Sequence, residues 1–495
     1  MNFILINPDE MRHDAAGCYG NGAAVTPHID RLARDGTLFE NCFVQHPVCT
    51  PSRASFLTGL YPHNRGHRTL WNPLGAEEPN LFSYLKQNGY DVHIWGKNDA
   101  LDPLALEKSA TTVNYRCDAK NAGNGSASRY PYGTPGYYSF LYENRYESYT
   151  QHPDYRYVQG AIDFLDAKPQ TPFCLFLPIG LPHCPYWVTK DFADRIDLEK
   201  CPQLKPYVQQ GKPDLYRLIR EYRELDKLDP EVFREIMRVY LAMASMADQM
   251  TGDLLDAVSR NGLDDDTCIL FFSDHGDWAG DYGLVEKWPS GLDDCLTHVP
   301  LIIRAPGYAK GQRVKAPVEL FDVFATVLDL AGVQPEHTHF ARSLTPQLHG
   351  QEGDLGRTVF AEGGYDPHEP HCFEGTRLSG DIPEDPRGIY YPKGRMQQDS
   401  PASVCRAVMA RTLTHKLVLR SDGHSELYDL AKDPDELCNV YGDPEYEPVR
   451  GDLEGRLLRW YLKTSDTVPH RRKDRGFDRD VTERLNAAYA HRQPV

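Results

Sequence analysis

Short, continuously apolar runs that each stop in polar residues set the strongest limit on what this chain can fold into. Phe3-Ile4-Leu5-Ile6 ends in Asn7-Pro8-Asp9-Glu10, and Val92-His93-Ile94-Trp95 ends in Gly96-Lys97-Asn98-Asp99. Residues 172–177 lead to Leu181-Pro182-His183-Cys184-Pro185, and residues 267–272 lead to Ser273-Asp274-His275-Gly276-Asp277. An apolar run of this length without alternation reads as a parallel strand covered on both faces. Helical patterns lie between the runs. Thr26-Pro27 predicts the cap and first turn of a helix over 28–34 that stops near Gly36. Another helix is expected near 80–88, closed by Gly89. A long one over 231–260 carries Tyr240, Met243, Ala244, Ala247, Met250 and Leu254 on one face. Strands alternating with helices predict an α/β fold, doubly wound, with a large, mostly parallel sheet flanked by helices. Ligands bind such sheets at the carboxyl ends of the strands, where the polar residues fall.

At 495 residues the chain has room for one large domain and a smaller one. The expected division is 1–370 for the catalytic α/β domain and 371–495 for a C-terminal α+β subdomain. Residues 365–400, crowded with Pro, Gly, Asp and Glu, read as an excursion or linker. Short antiparallel strands are expected around Ala407-Val408-Met409, Lys416-Leu417-Val418-Leu419 and Glu426-Leu427-Tyr428-Asp429-Leu430, then a helix near 453–463. Residues 121–155 read as a long surface loop, and the charged last 25 residues as an extended arm. No internal repeat is present.

The net charge of −17 argues against nucleic acid and anionic membranes as partners, while leaving room for a small anionic substrate in a locally basic pocket. No apolar run approaches the ~20 residues of a membrane span. Twelve cysteines without a C-x-x-C pair read as reduced thiols. Met1-Asn2 leads straight into the first strand with no basic segment or apolar leader, so with Met1 as the native start the expectation is a cytoplasmic protein.

The chemistry concentrates around Cys49-Thr50-Pro51-Ser52-Arg53. Proline fits the first turn of a helix and Gly59 suits its stop, so Cys49 is expected at a helix start, beneath unpaired N–H groups. Arg53, one turn on, points back toward the same spot. Sulfur, cation and helix start together make an anion site containing a nucleophile. Asp9-Glu10 and Asp274-His275, each at a strand end, make a candidate divalent-cation site.

In C-T-P-S-R followed by a small-residue helix and Thr58-Gly59, the chain resembles the type I sulfatases of the alkaline phosphatase superfamily. Further elements of the resemblance are Asp9-Glu10, Gly89-Tyr90 through Gly96-Lys97, Pro182-His183-Cys184-Pro185, Ser273-Asp274-His275-Gly276 and Lys287. His298 through Arg304 and Glu426 through Leu430 look like the family's scaffold strands. The resemblance implies that Cys49 is oxidised to formylglycine by a formylglycine-generating enzyme. It places Asp9, Glu10, Cys49, Asp274 and His275 around one divalent metal, and gives Arg53, Lys97, His183 and Lys287 catalytic roles. Ca²⁺ is the first expectation for the metal; oxygen ligands also suit Mg²⁺, and His275 admits Mn²⁺. Two positions depart from the pattern. Glu10 stands where many members have Asp and others Gln, and Lys97 is followed by Asn98-Asp99 rather than by a histidine two residues on.

The expected reaction is hydrolysis of a sulfate ester on a small molecule, a saccharide first. Arg53, Lys97 and Lys287 are expected to neutralise the sulfate oxygens. His183, by its reference pKa, is expected to protonate the leaving alcohol ahead of Lys287. The alternatives are a phosphonate monoester or phosphodiester hydrolase on the same scaffold, and a silent ligand-binding protein if Cys49 stays a thiol. The oligomeric state is left open, a homo-oligomer included.

Overall fold

The computed structural model describes residues 1–114, 127–144, 146–375, 385–469 and 479–490. Its main sheet has eight strands. Their order is Gln312–Val314, Thr37–Phe39, Leu301–Arg304, Thr267–Phe272, Asn2–Asp9, Phe173–Pro182, Asp91–Ile94 and Thr112–Val113. Only the pairings of Leu301–Arg304 with its two neighbours are antiparallel. The four apolar runs are four adjacent central strands. Their side chains alternate between two buried layers. Ile4, Ile6, Leu175, Leu177, Ile269 and Phe271 face one core, which contains the long helix Pro230–Arg260. Phe3, Leu5, Cys174, Phe176, Leu270 and Phe272 face the other, with Ala54, Phe56 and Leu57. A strand buried on both faces has no polar side to show, which is why these runs lack alternation.

The helix Cys49–Thr58 is buried at every residue, ends at Gly59 in the left-handed region (φ 69°), and sets Phe56 edge-on against Phe272, ring centroids 5.2 Å apart. Its start therefore faces the carboxyl ends of Asn2–Asp9 and Thr267–Phe272. The helix Pro27–Asp35 forms as expected, but Thr26 does not cap it. Thr26 Oγ1 accepts from Gly17 N, and the cap comes from the long helix: Asp248 accepts from Ile29 N at 2.7 Å and from His28 N at 3.3 Å. A cap supplied across a helix–helix contact leaves no local sequence signal.

A second, antiparallel sheet contains Val359–Gly363, Ala407–Arg411, His415–Arg420 and Glu426–Asp429, covered by the helix Glu447–Thr464 through Trp460, which stacks on Phe360. Its first strand lies upstream of residue 370, where composition gives no boundary signal. Arg420 Nη1 donates to Ser290 O, Trp288 Nε1 donates to Ser403 O, and Arg411 and Lys416 pair with Asp294, joining this sheet to the main body.

Three loop expectations change. The stretch 121–155 holds a small hairpin, Ala127–Ser128 with Tyr142–Glu143; residues 121–126 and 145 lie outside the described residues. The stretch 365–400 holds the helix Tyr391–Asp399, while 376–384 lie outside the described residues. Of the expected extended arm, 479–490 is helical and the remainder lies outside the described residues. Proline and charge density gave no helix signal in these stretches.

Asp248→Ala should lower unfolding stability by about 1–2 kcal/mol, the usual cost of an emptied helix cap. Denaturant titration with an unchanged slope would register that loss without a change in fold.

Candidate active site

The site forms where loops leave the central strands. At the end of the first strand the backbone turns through Glu10, at φ 66°. The turn is held by Glu10 N donating to Asp274 Oδ1 (3.1 Å), Met11 N to Ser273 Oγ (2.8 Å) and Tyr240 OH to Glu10 O (2.7 Å). Two strand ends and the long helix thus fix one another. Next door, Gly96 passes so close to Pro178 O that a Cβ would lie 2.0 Å from it, and Lys97 N then donates to the same carbonyl. Glycine is obligatory there if Lys97 is to reach inward.

Ligand atoms of Asp9, Cys49, Asp274 and His275 all lie within 4.8 Å of one another, and all four residues are buried. Cys49 Sγ is 3.1 Å from His275 Nε2 and 3.6 Å from Asp9 Oδ1. His275 Nδ1 lies 2.9 Å from Gly276 O, and donating there leaves the Nε2 lone pair aimed at the cluster. Two carboxylates, a sulfur and an imidazole lone pair fit a divalent cation.

Glu10 is not in this group. Its Oε2 lies 3.0 Å from Lys287 Nζ and 3.3 Å from His183 Nε2, while Oε1 is buried with no hydrogen-bond partner among the described residues. The left-handed turn carries the longer glutamate side chain past the cluster toward Lys287. Burial, reinforced by Asp277 and Glu286, pushes the Glu10 carboxyl above its usual range against the pull of Lys287.

Arg53 stands elsewhere than the expected contact with substrate. Fully buried, it donates from Nε to Asp274 Oδ2 (2.8 Å), from Nη2 to Asp9 Oδ2 (3.0 Å) and from Nη1 to Lys97 O (2.7 Å). It is a brace across both carboxylates. Lys97, one-third exposed, reaches Asp9 Oδ2 at 2.7 Å, Asp99 at 3.1 Å and Cys49 Sγ at 3.9 Å. Burial opposes charge on Asp9, yet Lys97 and Arg53 hold it well below the usual carboxylate range.

Two further expectations change. Burial, then Asp9, pushes the Cys49 thiol up to about 12, so the helix start does not make it a thiolate. His183 is held neutral: burial and then Lys287 and Lys97 drive it well below 6.5. Its Nδ1 faces Cys184 O, leaving Nε2 as acceptor for Lys287 Nζ at 2.6 Å. Glu10, Cys49 and Glu286 hold Lys287 protonated despite burial. Glu286 is itself fixed by Arg223 and Lys393 at 2.7 Å each. Lys287 therefore holds its proton while His183 does not.

Sequence reasoning missed Tyr240, Asp277, Glu286 and Lys393. Asp277 accepts from Tyr186 OH and Ala279 N behind the strand-end loop. Only its place two residues after His275 hinted at this; Lys393, in the Pro- and Gly-rich stretch, gave no signal.

Residues 1–333 match the family model described as Sulfatase. Among relatives, arylsulfatase K of Xenopus laevis is 26% identical over 479 residues, covering 90% of this chain and 80% of its own. An ulvan-active sulfatase of Formosa agariphila is 26% identical, covering 95% and 83%. Among solved structures, the phosphonate monoester hydrolase of Agrobacterium radiobacter superimposes with TM-score 0.74 at 24% identity, covering 94% and 96%. A protein solved in complex with its substrate D-glucosamine-2-N,6-O-disulfate gives 0.70 at 21%, covering 95% and 99%.

Because Arg53 braces both carboxylates, Arg53→Ala should weaken metal affinity by about 10–100-fold, the range for lost supporting contacts. Metal titration with elemental analysis checks this; a residue acting on substrate alone would leave metal content unchanged.

Proposed function

We propose that this chain, which belongs to the sulfatase family and is a sulfuric ester hydrolase, cleaves the sulfate ester of a carbohydrate through a formylglycine made from Cys49. The carrying observation is the placement of Cys49 within one 4.8 Å cluster with Asp9, Asp274 and His275, at a helix start beside Lys97. Its relatives include an ulvan-active sulfatase, and a fold neighbour binds a disulfated glucosamine, which supports a sugar substrate. Asp9, Cys49, Asp274 and His275 would hold the divalent cation; the two carboxylates favour Ca²⁺ and leave Mg²⁺ and, through His275, Mn²⁺ open.

The cation supplies Lewis-acid polarisation of the sulfate oxygens, and hydrated formylglycine supplies an oxygen nucleophile that can later expel sulfate by returning to the aldehyde. The rest falls to side chains. Arg53 aligns Asp9 and Asp274 and helps to keep Asp9 charged. Lys97 Nζ, beside position 49 and partly open to solvent, meets the negative sulfate group and stabilises charge as the S–O bond breaks. Lys287 holds the proton for the departing alcohol oxygen. Neutral His183, at 2.6 Å, accepts from that ammonium at Nε2 and orients it; because Nδ1 is engaged, the proton moves through Nε2 alone. Asp99, 3.1 Å from Lys97, stands at the position where the resemblance to the sulfatase pattern leads one to expect a histidine.

The test is turnover of an aryl sulfate and an aryl phosphonate by protein matured with a formylglycine-generating enzyme. Conversion of Cys49 lowers the intact mass by roughly 18 Da. Cys49→Ala should then reduce turnover by at least about a thousandfold with the fold intact, since only the nucleophile is lost.

Phosphonate monoester or phosphodiester hydrolysis is the second reading, supported by the fold neighbour at TM-score 0.74. Lys97 separates the two. Lys97→Ala should lower kcat/KM for sulfate esters by ~100-fold, about 3 kcal/mol, and any phosphonate activity by less. Both rates are measured on one preparation of known formylglycine content, and a larger loss on the phosphonate would favour the second reading.

A further inference from the structure

Around the start of the nucleophile helix, three side chains carry buried nitrogen atoms that the cluster does not use. His46, three residues before Cys49, is fully buried, and neither ring nitrogen has a hydrogen-bond partner among the described residues. Arg68 gives Nη2 to Glu369, while Nη1 is buried and without such a partner. Trp71 Nε1 is in the same position. Both ends of this set adjoin the nucleophile helix. The turn carrying Arg68 and Trp71 meets its first turn, where Thr50 Oγ1 donates to Leu70 O at 3.5 Å. His46 lies on the segment that leads into it, whose Gln45 O accepts from Glu362 N. Burial drives the His46 ring down to about 3, with His275 and then Arg68 adding to it.

Leaving such groups unpaired costs about 1–3 kcal/mol each, more for a charged one. A fold bears that where a ligand completes the bonds. One guanidinium edge, one indole N–H and one imidazole N–H make a donor-rich set. Glu369 holds the guanidinium plane from Nη2 and its side chain is 28% exposed, so it orients Arg68 without closing the Nη1 edge. A partner that only accepts suits this set best, and a planar or tetrahedral oxyanion is such a partner.

We infer that His46, Arg68 and Trp71 form a second recognition site beside Cys49 that binds an anionic group, carboxylate or sulfate, on the sugar bearing the scissile ester. This rests on the proposed sulfatase reading and narrows it to acidic saccharides. Arg68 supplies charge and direction, Trp71 one fixed donor, and His46 one donor at the inner wall.

The test uses formylglycine-bearing enzyme and four substrates: 4-nitrophenyl sulfate, a monosulfated disaccharide with a neutral partner sugar, the same compound with a uronic acid, and a disulfated disaccharide. Wild type should prefer one or both acidic disaccharides over the neutral one by tenfold or more in kcat/KM, chiefly through KM. The favoured member tells carboxylate from sulfate. Arg68→Gln should lower the ratio of acidic to neutral turnover by about tenfold or more, and Trp71→Phe, which keeps the ring and removes the donor, by about fivefold. No preference in wild type, or equal losses on all four substrates, would overturn the site. Hydrolysis of none of the four would instead count against the sulfatase reading. Binding then decides the site separately. Titration of the unsulfated uronate disaccharide and of inorganic sulfate into Cys49→Ala protein should show affinity for at least one that Arg68→Gln weakens tenfold. Absent or unchanged binding overturns the inference.

Discussion

The site depends on a single buried guanidinium. Asp9 and Asp274 end two neighbouring strands with no access to water, and two uncompensated carboxylates so close would not both stay ionised. Arg53 donates to each and to the backbone of Lys97, so one side chain sets the spacing of three strand ends. It is rigid because the helix carrying it is buried throughout and stops at a glycine free to take positive φ. A lysine would carry the same charge without the fork needed to reach both carboxylates. The arrangement of the cluster thus follows from packing an arginine where packing normally admits only apolar residues.

Around that brace the charges are graded. Lys97 and Asp99 stand at the open side; Glu10, Lys287 and His183 form an inner row in which the ammonium carries the proton and the imidazole does not. Reference values already give that order for the last two. The surroundings widen it, because a lysine with a carboxylate partner keeps its charge where a buried histidine facing two ammonium groups loses its own.

Much of the fold was legible, because two-sided burial writes itself into sequence as apolar runs without alternation, and Phe3 through Ile6 and residues 267–272 are such runs. The strand-end residues were legible for the same reason: polarity resumes where the sheet stops. What was hidden depended on partners far along the chain. Asp248 caps a helix some 220 positions away, Lys393 supports Glu286 from within a Pro- and Gly-rich stretch, and Val359–Gly363 belongs to a sheet whose other strands begin at Ala407. The place of Glu10, beside Lys287 rather than in the four-residue cluster, was hidden because the direction of its side chain is set by the φ of a single residue, which residue type does not encode.

The register of the central strand has a consequence for how the chain is made. Asn2–Asp9 is made before either strand it pairs with, Phe173–Pro182 on one side and Thr267–Phe272 on the other. At ordinary elongation speeds its second neighbour follows on the order of tens of seconds later. Until then a strand apolar on both faces keeps at least one edge uncovered, the condition in which nascent chains associate with one another. The pace of synthesis is thus a constraint on this sheet that the stability of its finished form does not express.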